Sequence, residues 1–320
     1  MLTYCLAIVV GFSLLVWGAD RFVLGAAATA RNFGVPPLII GLTIVGFGTS
    51  APEVLVSGVA AWNGNPGLSI GNALGSNITN IALVLGVTAI ITPLNVHSDT
   101  LRREFPILLA IMLFALLIML DGELSRLDGV LLLGGLCAMI YWLVRLGLQK
   151  ARSDPMELEF DKEIPGAMST KVGIAWLVAG LVLLLLSSQV LVWGAVNIAH
   201  ILGVSDLVIG LTVVAIGTSL PELAASVLSA VKKEHEIAIG NVLGSNMYNL
   251  LAVMGLPGVI GAGVFDRAVL VRDFPFMIGL TLALFVTAYG FNGEGRINRI
   301  EGVALLLAFV AYQVFLYYTA

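Results

Sequence analysis

Two glutamates carry the chemistry that this sequence makes legible. Glu53 closes the segment GLTIVGFGTSAPE (41–53) and Glu222 closes GLTVVAIGTSLPE (210–222), and both lie inside long apolar runs. A carboxylate at the centre of a bilayer costs at least about 2.5 kcal/mol on insertion scales, so it needs a cavity or a cation to face. Each glutamate follows a proline, Pro52 or Pro221. A proline inside a helix removes an N–H and clashes with the carbonyl four residues back. Carbonyls near Gly48 and Thr49, and near Gly217 and Thr218, are expected to be freed, and in lipid a free carbonyl must find a partner. Thr49 and Ser50 precede Glu53 by four and three residues and share its helix face if the helix continues. A bare proline kink explains none of these polar neighbours.

A second pair of segments supplies further oxygen. IGNALGSNITN (70–80) and IGNVLGSNMYN (239–249) place Ser76 four residues before Asn80, and Ser245 four before Asn249. Asn72 and Asn241 lie another turn back and could support the site from behind, and Asn77 and Asn246 read as polar glue between helices. The donors are two carboxylates, hydroxyls, amide oxygens and carbonyls, all hard ligands. No Cys or His lies at depth, because His97, His200 and His235 fall in loops. This set disfavours zinc or copper. Calcium, with six to eight oxygen ligands in flexible geometry, suits it, as does sodium, and two negative charges match one Ca²⁺.

Both motif pairs are separated by 169 residues. Nine of thirteen positions are identical in the first pair and eight of eleven in the second. Gly25, Gly34 and Gly86 match Gly194, Gly203 and Gly255 at the same offset. Chance similarity among apolar helices would match Leu, Val and Ala; here Gly, Thr, Ser, Pro, Glu and Asn match. The chain is therefore read as an internal duplication.

The elements that hold these residues follow from composition. Of 320 residues, 59% are hydrophobic and 11% charged, and the mean hydropathy is +1.01. A soluble domain carries about 25% charge. The sequence thus excludes an ordinary soluble enzyme, a disordered chain and a nucleic-acid binder, and predicts an all-α integral membrane protein. Cys5 and Cys137 fall in apolar segments and imply no disulfide framework. Ten spans are expected, at about 4–24, 37–61, 68–92, 105–120, 128–147, 172–198, 206–231, 237–262, 273–291 and 301–319. Runs such as PILLAIMLFALLIML lack the alternation of a membrane barrel. The first run has no basic stretch before it and is read as a span rather than a signal peptide.

Lysines and arginines number thirteen in the odd-numbered loops and three in the even-numbered ones. The odd loops are therefore expected in the cytoplasm and both termini outside. Residues 1–148 form one five-helix repeat, 149–171 a cytoplasmic linker and 172–320 the second repeat. Five is odd, so the halves enter the membrane from opposite sides, with broken helices at the midplane. Inverted repeats with Gly/Pro-interrupted helices are a transporter signature.

At these residues the sequence resembles the sodium/calcium exchangers of the cation/calcium antiporter superfamily, in particular bacterial inner-membrane calcium/sodium antiporters of this length. The resemblance covers essentially the whole chain. It implies alternating access to a central cluster in which Glu53 and Glu222 bind Ca²⁺ and compete for Na⁺. It carries backbone-carbonyl ligands onto Thr49 and Thr218, with Gly46 and Ala215 nearby for sodium. It carries hydroxyl ligands onto Ser50, Ser76, Ser219 and Ser245, and a central amide/acid pair onto Asn80 and Asn249. In the best-known exchangers the position of Asn249 is an aspartate. The site here has one titratable group fewer, which bears on stoichiometry and on sodium versus proton as counter-ion. The large regulatory loop of animal exchangers is absent. The expected partners are thus Ca²⁺ and Na⁺ (or H⁺) as transported ions and the lipid bilayer, with no prosthetic group. Competing readings are a Ca²⁺/H⁺ antiporter and a cation channel. An intramembrane enzyme has no nucleophile–base pair or HExxH segment to support it.

Overall fold

The computed structural model describes residues 1–36, 39–96, 99–150, 168–261, 263–288 and 295–319. Most of the 149–171 linker lies outside them. The chain is mostly helical. In order, α1 spans Leu2–Asn32. Helix α2 is a bent pair, Thr43–Thr49 and Ala51–Trp62. Helix α3 spans Pro66–Ile91, α4 Asp99–Ile118, α5 Arg126–Lys150 and α6 Thr170–Leu202. Helix α7 is a second bent pair, Asp206–Thr218 and Leu220–Val231. Helix α8 spans His235–Ile260, α9 Val269–Ala288 and α10 Arg299–Thr319. Among the described residues seven helices are long and apolar enough to cross a membrane, and counting each bent pair as one span raises this to nine. Helix α4 has 20 residues but carries Asp99, Arg102, Arg103 and Glu104 near its start.

Short strands tie the ends. Leu94–Val96 (β1) pairs antiparallel with Gly295–Ile297 (β4), joining the α3–α4 and α9–α10 connections. Glu123–Leu124 (β2) pairs with Gly263–Val264 (β3), joining α4–α5 to α8–α9.

Helices α3 and α8 form the centre. The apolar window of α8 is entirely buried and that of α3 is 78% buried, against 28–33% for α1, α5, α6 and α10. The outer helices leave large apolar side chains exposed, such as Leu6, Leu117, Leu186 and Leu307. Such faces are stable only against lipid, where no hydrophobic penalty attaches to them.

The duplication is visible in the packing. Helices α1 and α6 run antiparallel: Gly11 lies on Leu191, Gly18 on Leu183 and Gly25 on Gly173. The contacts exchange at the 169-residue offset. Gly11 packs against Leu191 while Gly180 packs against Phe22, and Gly25 meets Gly173 and Leu177 while Gly194 meets Tyr4 and Ile8. Both helices end on a left-handed glycine, Gly34 (φ +78°) or Gly203 (φ +68°), which no side chain with a Cβ adopts cheaply.

Candidate cation-binding site

Both motif helices break at the serine of GTSxPE. The two parts of α2 meet at 51° and those of α7 at 41°. Ser50 (φ −85°, ψ 2°) and Ser219 (φ −82°, ψ 5°) leave the helical region. Pro52 and Pro221 then sit in the first turn of the following helix, where a missing N–H costs nothing. The single continuous face expected for Thr49 and Glu53 is therefore not formed. The break turns the chain between them, and the polar side chains are brought together across the two repeats instead.

The cross-repeat pattern is symmetric. The Thr49 hydroxyl donates to Asn241 Oδ1 at 3.1 Å, and that of Thr218 donates to Asn72 Oδ1 at 3.1 Å. Thr49 also lies 3.2 Å from Ser245 Oγ, and Thr218 3.5 Å from Ser76 Oγ. Ser245 donates to Glu222 Oε1 at 3.2 Å. Thr218 lies beside Glu53, and Thr49 and Ser50 lie beside Glu222. The carbonyls of Gly46 and Ala215 accept from the Thr49 and Thr218 hydroxyls at 3.2 and 3.4 Å. Asn72 Nδ2 further donates to the Glu53 carbonyl (3.2 Å) and to Ser57 Oγ (2.9 Å). Asn72 and Asn241 thus hold the two threonines, a tighter role than general support. Asn80 Nδ2 donates to Asn246 Oδ1 at 3.1 Å, so Asn246 links the repeats as well.

Wide π-helical turns accompany the site. They cover Ile40–Val45 and Gly210–Val214 before the breaks, and Asn80–Val84 and Asn249–Val253 in α3 and α8. Asn80 and Asn249 each open such a turn at equivalent positions. Turns of this kind leave the usual hydrogen-bond ladder and concentrate at functional sites.

Glu53 and Glu222 are fully buried, and each repels the other's charge. Glu53 Oε1 and Oε2, Glu222 Oε2, Ser50 Oγ, Ser219 Oγ, Asn80 Oδ1 and Asn249 Oδ1 are buried without a hydrogen-bond partner of good geometry. Leaving a buried polar group unsatisfied costs roughly 1–3 kcal/mol, more if it is charged. Seven such oxygens, three of them from the two carboxylates and four of them neutral, suit a hard cation. Among the described residues no three His, Cys, Asp or Glu side chains cluster, so the neutral oxygens must complete any coordination sphere.

The two repeats differ in how closely they pack. In one half a Cβ on Gly71 would lie 2.3 Å from the Leu207 carbonyl oxygen, and one on Gly75 would lie 2.7 Å from Ala215 Cβ and 2.8 Å from Leu211 Cα. Helix α3 is shut against α7. The counterpart of Gly75 is Gly244, and a Cβ there would meet nothing within 4 Å. A cavity of about 40 Å³ lies on that side, between the first part of α2 and α8, lined among others by Gly46, Glu104, Asn241 and Gly244. Gly244→Ala is therefore expected to leave thermal stability in detergent nearly unchanged. Gly71→Ala should destabilise this conformation by about 1–3 kcal/mol, the usual cost of overpacking against backbone that has to move. Equal melting temperatures for the two variants would contradict the asymmetry.

Sequence reasoning missed one further repeat. RREFP (102–106) and VRDFP (271–275) share Arg, Phe and Pro at the same offset and pair Glu104 with Asp273. Both acids are buried. The offset that revealed the other motifs would have found them.

These features define an integral membrane protein built of two repeats that bury a shared, oxygen-rich, two-carboxylate centre. A family model described as sodium/calcium exchanger protein matches residues 3–145 and 172–318, and the chain belongs to that family. A protein of Alkalimonas amylolytica, CaxA, provisionally named an antiporter, is 49% identical over 99% of both chains. The inner membrane protein YrbG of Escherichia coli is 38% identical, covering 99% of this chain and 98% of its own. A solved structure of the sodium-calcium exchanger NCX_Mj, soaked with Na⁺ and Sr²⁺, superposes with a TM-score of 0.68 at 34% identity, covering 97% of each chain.

Proposed function

We propose that this chain exchanges Ca²⁺ for Na⁺ by alternating access at the Glu53/Glu222 pair. The observation that carries the reading is the pair itself: two fully buried carboxylates at repeat-equivalent positions, among oxygens that lack donors. Thr49, Thr218, Ser50, Ser219, Ser76, Ser245, Asn80 and Asn249 and the carbonyls of Gly46 and Ala215 are proposed to complete the sphere. Ca²⁺ and Na⁺ couple because they compete for the same charges. With the site empty, two bare carboxylates would have to cross a low-dielectric gap, which is costly; either ion neutralises them and permits the switch. The names of the exchanger relatives support the same ions for this chain.

The proposed architecture is ten spans in two inverted five-helix repeats, 1–148 and 172–320, with 149–171 as a cytoplasmic linker, both termini on the outer side and the inner membrane as location. The basic odd-numbered loops support that orientation, and the antiparallel packing of α1 on α6 supports the inversion. In this orientation the cavity beside Gly244 faces the cytoplasm and the shut α3–α7 contact faces outside.

In proteoliposomes, Ca²⁺ uptake driven by an outward Na⁺ gradient is the expected result. Uptake that follows a pH gradient without sodium would replace Na⁺ by H⁺ as counter-ion. Uptake with neither gradient, accompanied by single-channel current, would overturn the antiporter reading.

A further inference from the structure

We propose that Asn246 is a positioning residue for cation binding: it holds the Asn80 amide with its oxygen, and not its nitrogen, free for the ion at the Glu53/Glu222 centre. The inference rests on the reading above, in which Asn80 is a ligand. It adds a residue that has no place in the proposed coordination sphere.

An asparagine amide can present either end, and the two ends are opposites to a cation. The oxygen coordinates Ca²⁺ or Na⁺, whereas the NH₂ group carries donors and no acceptor. Both ends have nearly the same shape, so hydrogen bonds decide which one faces the ion. Asn80 stands one turn beyond Ser76, whose hydroxyl lies 3.5 Å from that of Thr218, beside Glu53. The π-helical turn that Asn80 opens packs against Leu220–Val231, the half-helix that carries Glu222.

The relay that orients Asn80 starts at a main-chain group. A carbonyl only accepts, so the Asn77 carbonyl takes the Nδ2 end of Asn246, at 3.4 Å. Asn246 Oδ1 is left as the acceptor for its other neighbour, and Asn80 Nδ2 donates to it at 3.1 Å. With its nitrogen engaged, Asn80 keeps Oδ1 buried and without a partner. Turning Asn80 over would set its oxygen against that of Asn246 and strand the NH₂ group. Both side chains are fully buried, so the reversed arrangement is penalised. The equivalent relay does not form in the other direction, and the sequence shows why. Asn77 is the repeat mate of Asn246, and Asn249 that of Asn80. Asn77 Nδ2 donates to Met277 Sδ at 3.4 Å, its Oδ1 has no partner, and neither end of Asn249 is bonded. The repeat mate of Met277 is Leu108, which is buried and offers no acceptor, so nothing at that position competes for Asn246 Nδ2. The two central asparagines share a residue type but not a role: Asn80 is a fixed oxygen ligand, and Asn249 is an amide that no side chain holds.

Equilibrium dialysis of the detergent-purified protein against radiolabelled Ca²⁺ tests the role, with a double-substitution cycle through Asn80. Asn246→Leu keeps the volume and deletes both polar ends. It is expected to raise the Kd by about tenfold, as loss of a group that orients a metal ligand does. In the Asn80→Ala background, where affinity is already reduced, Asn246→Leu should raise the Kd no further, because the residue through which Asn246 acts is gone. An unchanged Kd for Asn246→Leu alone would overturn the proposal. So would an equal rise in both backgrounds, which marks a purely structural effect. If Asn246→Leu does not assemble, Asn246→Ala is taken through the same cycle with the same criteria. A wild-type protein that binds Ca²⁺ without exchanging it would refute the exchange reading and leave this inference to the cycle; a wild-type protein that binds no Ca²⁺ would refute both.

Discussion

Reconstituted Glu53→Gln and Glu222→Gln proteins are each expected to lose Ca²⁺ exchange by at least about a hundredfold. The estimate is electrostatic. A unit charge about 4 Å from a second interacts with it by about 4 kcal/mol at an effective dielectric of 20, close to a thousandfold in affinity, and a divalent ion gains more. Glutamine retains the volume and one oxygen but deletes that attraction. The partner glutamate cannot compensate, because it already supplies its own charge, and Ser50, Ser219, Asn80 and Asn249 contribute only neutral oxygens. Stability should move the other way. Each substitution removes a buried carboxylate that repels its neighbour, so thermal melting in detergent without Ca²⁺ should stay level or rise. Loss of exchange with retained or raised melting separates a ligand from a structural residue. Full exchange in either variant would remove the two-carboxylate site from consideration. The repeat symmetry adds a constraint: the two losses should be of the same order, although the hydroxyls differ, with Ser245, Thr49 and Ser50 beside Glu222 and Thr218 beside Glu53.

Much of this was open to sequence reasoning because membrane insertion makes polar residues costly and therefore informative. Glu53 and Glu222 stand out against apolar surroundings, and the 169-residue offset ties them to Ser245, which donates to Glu222, and to Asn72 and Asn241, which hold Thr218 and Thr49. The helices at 206–231 and 301–319 agree with their expected spans to within two residues, since long apolar runs leave few alternatives. What was not open depended on geometry that a spacing rule does not encode. Thr49 and Glu53, four apart, suggested a shared face, but the break at Ser50 turned that local relation into a cross-repeat one, Thr49 to Asn241. The π-helical turns starting at Asn80 and Asn249 have no composition signal that sets them apart from the α-helical turns around them. The unequal packing at Gly75 and Gly244 is equally invisible: the two glycines occupy equivalent positions in near-identical motifs, and only the conformation distinguishes them. Glu104 and Asp273 each follow an arginine near the start of a helix, a pattern that in sequence does not set them apart from solvated helix ends, although both are buried.

Asp273→Leu is expected to destabilise the protein by about 3–5 kcal/mol, whereas the double substitution Arg272→Met/Asp273→Leu should be close to neutral. The Asp273 side chain is fully buried and that of Arg272 is 11% exposed, and their 2.6 Å contact is supplemented by the Tyr312 hydroxyl, whose ring stacks on Phe276 at 4.5 Å. Removing the acid alone leaves a largely buried guanidinium with only the weaker attraction of Asp266 and the Thr319 hydroxyl beside it, and breaking a buried pair from one side carries most of that penalty. Removing both charges gives up the attraction together with the desolvation it had to offset, and an apolar pair of similar volume is often as stable or more so. Melting in detergent distinguishes these outcomes: a large drop for the single variant with recovery in the double shows that the cost lies in the stranded charge, while equal drops would assign it to lost packing around Tyr312.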